Sequence, residues 1–151
     1  MNLSPHFTLA ELTASQTAAR LGIRNVPNAT VTEALRLVCV NVLEPVRAHF
    51  GRPVTVNSGY RSQAVNKAVK GAASSQHVKG EAVDFEVPGV ANSDVAAWVR
   101  FNLQFDQLIL ENASRRDPSA GWVHCSWKPY GRRMSVLTFI AGEGYFQGLT
   151  L

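Results

Sequence analysis

From Ala82 to Val87 the side chains alternate in character, with Ala82, Asp84 and Glu86 on one face and Val83, Phe85 and Val87 on the other. A period of two is that of a half-buried strand. Gly80 reads as the turn that leads into it, so the pairing of His77 with Asp84, seven positions on, is not the helical H-E-x-x-H arrangement. Asp84 points away from the apolar side, toward an open site. Forty positions after Asp84, Trp122-Val123-His124 opens a second strand that puts Trp122, His124 and Ser126 on one face. Two imidazoles and a carboxylate form a zinc set. Zinc in catalytic sites takes three protein ligands and leaves a fourth position to water, whose pKa it lowers to about 7. His77, Asp84 and His124 are the expected ligands and Zn2+ the expected cofactor.

The segment Ser75–Asp84 has the form S-x-H-x-x-G-x-A-x-D, is followed by the W-V-H strand, and is preceded by Ser58-Gly59-Tyr60-Arg61-Ser62 with Asn66 beyond it. With these elements in this order, the chain from Phe7 to Phe139 resembles the zinc D-Ala-D-Ala carboxypeptidase family of peptidases. That family includes D-Ala-D-Ala carboxypeptidases and phage endolysins that cut peptidoglycan stem peptides, and the hedgehog signalling domain shares its fold. The resemblance implies a zinc peptidase of the stem peptide, either a DD-carboxypeptidase or endopeptidase, or an L-alanyl-D-glutamate endopeptidase. Which bond is cut stays open.

Zinc-assisted hydrolysis needs a base that takes a proton from water and hands it to the leaving amine. Many members of the family carry an acid three positions before the second histidine, where this chain has Gly121. The role passes to another carboxylate. Glu111 is the first candidate, because it closes the strand Asp106–Glu111 beside the histidine strand and because related phage-type members carry a glutamate there. Asp117, in the loop 112–120, is the reserve, ahead of Glu81 and Glu86. Arg61 follows a strand at a Gly-Tyr turn, so its planar fork can reach a carboxylate or a developing oxyanion, the role the resemblance also implies. Ser75 and Trp122 are candidate substrate contacts, with Trp122 equally readable as core. Tyr60 and Asn66 either brace the loop or meet substrate. Serine chemistry lacks a G-x-S-x-G elbow.

A chain of 151 residues with 46% hydrophobic and 17% charged content is one domain, residues 1–151, large enough to fold without a structural metal. The net charge of +4 suits an anionic partner. No helix-turn-helix, zinc finger or RNP-type strand accompanies it, so the expected partner is the wall peptide and not nucleic acid. No run approaches a membrane span, and the N-terminus has neither a charged leader nor an apolar h-region. The expectation is a monomer made in the cytoplasm that reaches the wall through a holin, through lysis, or from a virion. Cys39 and Cys125 read as core, not as a disulfide pair.

Thr8 and Glu11 form a capping box for a short helix that either continues to Leu21 or breaks near Ser15. Thr30 and Glu33 repeat that spacing ahead of a core helix running to Gly51 with a kink at Pro45. A strand at 53–57, a helix at 63–70, a helix capped by Asn92 or Ser93, and strands at 107–111, 122–127 and 134–141 complete the reading. Gln147 to Leu151 remain unassigned. Strands and helices without regular β-α-β alternation give an α+β fold, a mostly antiparallel sheet with flanking helices. The rival reading is a non-catalytic, zinc-stabilised binding module of a phage or wall-associated assembly, which Gly121 in place of the acid favours. Against it, a structural zinc fills its fourth position with protein, and no fourth ligand is evident.

Overall fold

The computed structural model describes residues 1–150. Its first elements are two short paired strands, β1 (Asn2–Ser4) and β2 (Phe7–Thr8), which the sequence reading did not anticipate. Helix α1 (Leu9–Thr13) then starts at the expected capping box: the Thr8 hydroxyl accepts the Glu11 N–H, and the Glu11 carboxylate accepts the Thr8 N–H. The chain breaks at Ser15, whose hydroxyl caps α2 (Gln16–Leu21).

The core helix is continuous from Ala29 to Phe50 but not uniform. It comprises α3 (Ala29–Val38), a π-helical turn (Cys39–Leu43) and α4 (Glu44–Phe50). Its cap is Asn28, whose side-chain oxygen accepts the Val31 N–H, and not the expected Thr30. Either residue type can cap, and the loop geometry at Pro27-Asn28 decides between them. The wide turn ends at Leu43, two residues before Pro45. A proline has no N–H to donate to the carbonyl four residues back, and widening the turn absorbs that missing bond. Leu35, Val38, Cys39, Val42, Leu43 and Val46 are fully buried along this helix. Burial of each Val or Leu contributes about 1.5–3 kcal/mol.

Strand β3 (Thr55–Ser58) is followed by α5 (Gln63–Ala68), β4 (Ala82–Glu86), α6 (Asn92–Asn102), β5 (Gln107–Ala113), β6 (Trp122–Ser126), β7 (Ser135–Ile140) and β8 (Gly144–Gln147). These six strands form one sheet in the order β3-β4-β6-β5-β7-β8, antiparallel except for the parallel pair β5 and β7. The α+β reading holds. Strand β8 was not foreseen, and helix α6 begins after Ala91 with no side-chain cap. Asn92, expected as a cap, instead turns its amide onto the carbonyls of Ser119 and Gly121 at 3.0 and 2.9 Å.

One face of the sheet, carrying Val83, Phe85, Leu108, Leu110, Val123 and Cys125, packs into the core with Val95 and Val99 of α6 and the buried side of the long helix. Both cysteines are free and buried, and burial pushes the Cys39 thiol up to about 12, so both serve as packing groups. No helix among the described residues is long and apolar enough to cross a membrane. The opposite face of the central strands is left to the site.

Candidate metal centre and cleft

Asp84 of β4 lies directly across from His124 of β6 in the strand register, and His124 across from Ile109 of β5. Directly opposed residues hold their side chains about 5 Å apart at Cβ, so pairing alone brings the carboxylate to the imidazole. The Asp84 Oδ1 to His124 Nδ1 distance is 2.9 Å. His77 arrives from the turn before β4, with its Nε2 3.4 Å from the other Asp84 oxygen. The His77 Nδ1 is 2.7 Å from the Gly59 carbonyl oxygen, which can only accept. Nδ1 therefore carries the proton, and Nε2 presents a lone pair toward Asp84 and His124.

The three residues offer ligand atoms that all lie within 4.8 Å of one another, and no second such group occurs among the described residues. Burial by itself would raise the Asp84 carboxyl, but hydrogen bonds and charge from His124 and His77 hold it far below the usual range. An ionised carboxylate and a lone pair aimed at one point are the donors that zinc requires, so the residues fit the metal.

The triad opens into a cleft of about 440 Å³ also lined by Arg61, Ser75, Glu111 and Trp122. Arg61 donates from Nη2 to the Ser75 hydroxyl at 3.2 Å, while its buried Nε has no partner among the described residues. Burial lowers the Arg61 pKa from its ordinary value and the Asp84 charge opposes that. Ser75 also accepts the His77 backbone N–H at 3.3 Å, tying the arginine to the turn that carries the histidine. Trp122 lines the cleft and is not core.

Of the four candidate carboxylates, only Glu111 lines this cleft. It sits opposite Trp122 in the register and so diagonal to His124. Burial raises its carboxyl above the ordinary value; His124 pulls against that and the Asp84 charge adds to it. Asp117 instead closes its own turn by accepting the Ser119 N–H at 2.9 Å. Glu81 accepts from Gln76, and Glu86 from Asn57 and Asn92. Tyr60 does not line the cleft. Its N–H is held by the Leu12 carbonyl at 2.7 Å and its ring packs against the core, which assigns it to bracing. Asn66 is buried and bonds Ala72 O across the loop, likewise a brace.

Gly121 adopts φ +75°, and a Cβ there would run into the Glu111 carbonyl oxygen. An acid at this position is therefore sterically shut out in this chain. Gly121→Asp is expected to cost at least ~3 kcal/mol, combining the left-handed penalty with a backbone clash. Thermal unfolding checks it, and an unchanged Tm would refute the clash.

Several cleft residues escaped the sequence reading. Gln107 and Ile109 share the Glu111 face by the same alternation that placed Asp84, so β5 held a usable signal. Arg133, in an irregular connection between β6 and β7, offered none. It reaches Asp106, a fully buried carboxylate just ahead of β5, with Nη2 to Oδ2 at 2.7 Å. Burial would raise Asp106, but the Arg133 hydrogen bonds outweigh it and hold it at about 2. A carboxyl depressed from 3.8 to about 2 stabilises the fold above pH 3.8, and the contribution is lost as pH falls toward 2. Asp106→Asn should flatten the acid limb of stability across that window and cost about 2–3 kcal/mol at pH 7, as read by urea unfolding at stepped pH.

A sequence model of the family described as Peptidase M15 matches residues 5–126. No curated protein matches the chain.

Proposed function

The chain belongs to the zinc D-Ala-D-Ala carboxypeptidase-like peptidases of the M15 family, and from that membership we propose that it is a zinc-dependent peptidase hydrolysing peptidoglycan stem peptides. The observation that carries the proposal is the convergence of His77, Asp84 and His124 in a cleft that also holds the Arg61 guanidinium and the Glu111 carboxylate. His77, Asp84 and His124 would hold a zinc ion, which would supply Lewis acidity toward a peptide carbonyl and lower the pKa of water to about 7.

The protein's own groups divide the remaining work. His77 and Asp84 fix the ligand geometry, His77 through its bond to Gly59. Glu111, alone among the candidate carboxylates in lining the cleft, takes the proton from water and returns it to the leaving amine. Arg61 has a free buried Nε and is steadied at its other end by Ser75, so it can meet negative charge as it develops on the carbonyl oxygen. Trp122 forms a wall against which a peptide lies. We assign the protein to lysis of a phage or prophage host, with access to the wall through a holin, through lysis or from a virion. The basic net charge of +4 supports retention on an anionic wall.

The test is zinc content by elemental analysis beside release of new amino termini from purified peptidoglycan, with and without a chelator. One zinc per chain with chelator-sensitive release is the expected result. Zinc without cleavage, across walls of several cross-link chemistries, would overturn the peptidase and return the binding module.

A further inference from the structure

Arg133 lines the same cleft as the metal ligands yet belongs to a separate cluster. Asp106 accepts the Arg133 backbone N–H at 2.9 Å, its Nε at 3.1 Å and its Nη2 at 2.7 Å, together with the Gln76 side-chain amide at 3.0 Å. The Lys128 ammonium stands 3.7 Å from the same carboxylate. Two cations thus face the buried Asp106 carboxylate, and the Gln76 amide that bonds it also reaches Glu81 at 3.4 Å. The Nη1 of Arg133 has no hydrogen-bond partner among the described residues, and the side chain is 54% exposed. Lys128 stands outside hydrogen-bond distance of Asp106, whereas the arginine grips it through Nε and Nη2. Held by one edge, the arginine keeps a second edge of its planar fork for another anion.

The register locates the Asp106 end of that grip relative to the metal ligands. Ile109 is level with His124 and Asp84, Glu111 lies beyond it toward Trp122, and Asp106 lies at the other end of the strand. At about 3.3 Å per residue, Asp106 is about 10 Å from the level of the metal ligands, on the side away from Glu111. An extended peptide covers that distance in about three residues. We infer that Arg133, set by Asp106 and Lys128, is a specificity-determining residue that reads a free carboxylate of the peptide two or three residues from the bond hydrolysed. This rests on the peptidase reading and adds to it a preference for stem peptides whose branch carboxylates are free over those in which they are amidated.

The test uses full-length, zinc-loaded protein, with Glu111→Gln as the background of every binding titration so that the peptide is not cut while its affinity is read, and two synthetic stem pentapeptides, one with its side-chain and branch carboxylates free and one with them converted to carboxamides. The C-terminal carboxylate is free in both. With Arg133 intact, calorimetry should give a preference of about ten- to a hundred-fold for the carboxylate form, the size of a charge-assisted contact. Arg133→Gln should bring the two affinities within about two-fold, and Arg133→Lys should fall between, since an ammonium cannot fork. If Arg133→Gln does not fold, the lysine variant carries the comparison. Equal affinities with Arg133 intact, binding of neither peptide, or an undiminished preference in the Arg133 variants would each overturn the inference. Cleavage is scored separately, with Glu111 in place, so a protein that binds selectively without cutting would sink the peptidase and leave the carboxylate site standing.

Discussion

Replacing His77 with alanine is expected to abolish stoichiometric zinc and to lower peptide release by at least about a thousand-fold, beyond the 10–100-fold that follows loss of an outer partner of a metal ligand. The size of the effect follows from how the ring is held. It is 3% exposed, its Nδ1–H is committed to the Gly59 carbonyl, and its Nε2 has nowhere to point but toward Asp84 and His124. Alanine removes a donor and leaves a buried carbonyl without a partner, so the variant also loses stability. Asp84→Asn separates the two effects, because it keeps the shape and removes the charge. It should retain the fold while zinc affinity falls. Elemental analysis beside thermal unfolding of both variants decides the matter. Full zinc content and full hydrolysis in folded His77→Ala would remove this residue from the ligand set.

Glu111→Gln should leave zinc at one per chain and lower hydrolysis by about 10²–10⁴, the usual contribution of a positioned proton-transfer group. Its effect on stability should run the other way. In metal-free protein the Glu111 carboxyl lies above its ordinary 4.5, so the folded state binds the proton more tightly than the unfolded chain. Stability then falls as pH rises through 4.5 toward the folded value, and ionised Glu111 burdens the fold at neutral pH. The glutamine variant should melt higher than wild type at pH 7 and at the same temperature below pH 4. Near-native hydrolysis by Glu111→Gln, with activity lost instead in Asp117→Asn, would transfer the role to the loop.

The features legible in the sequence were those encoded by short-range periodicity. The alternation at 82–87 placed Asp84, the spacing of Thr8 and Glu11 placed the first helix, and alternation at 122–126 separated His124 from Cys125. The structure keeps all three. What escaped depends on contacts distant in the chain. Asn28 rather than Thr30 caps the long helix because backbone geometry chooses among eligible side chains. The parallel pairing of β5 with β7 and the addition of β8 at the edge leave no mark on local pattern. Arg133 and Asp106 are twenty-seven residues apart and meet only when β5 and the connection to β7 are both in place. Gly121 was read as a missing acid, whereas its φ of +75° and the adjacent Glu111 carbonyl make it a steric necessity.

The face-to-face register of Asp84 with His124 also bears on how the protein is made. Sliding β4 past β6 by one residue would turn Asp84 into the core and Val83 or Phe85 out toward the histidine. The metal therefore cannot be captured by a chain in which β4 and β6 have paired in the wrong phase, nor by one whose two strands have not yet found each other across forty residues. Closing such a loop is a late and slow event relative to helix formation. Metal uptake during refolding would thus act as a proofreading signal, timing the moment at which the central strands lock in their correct alignment.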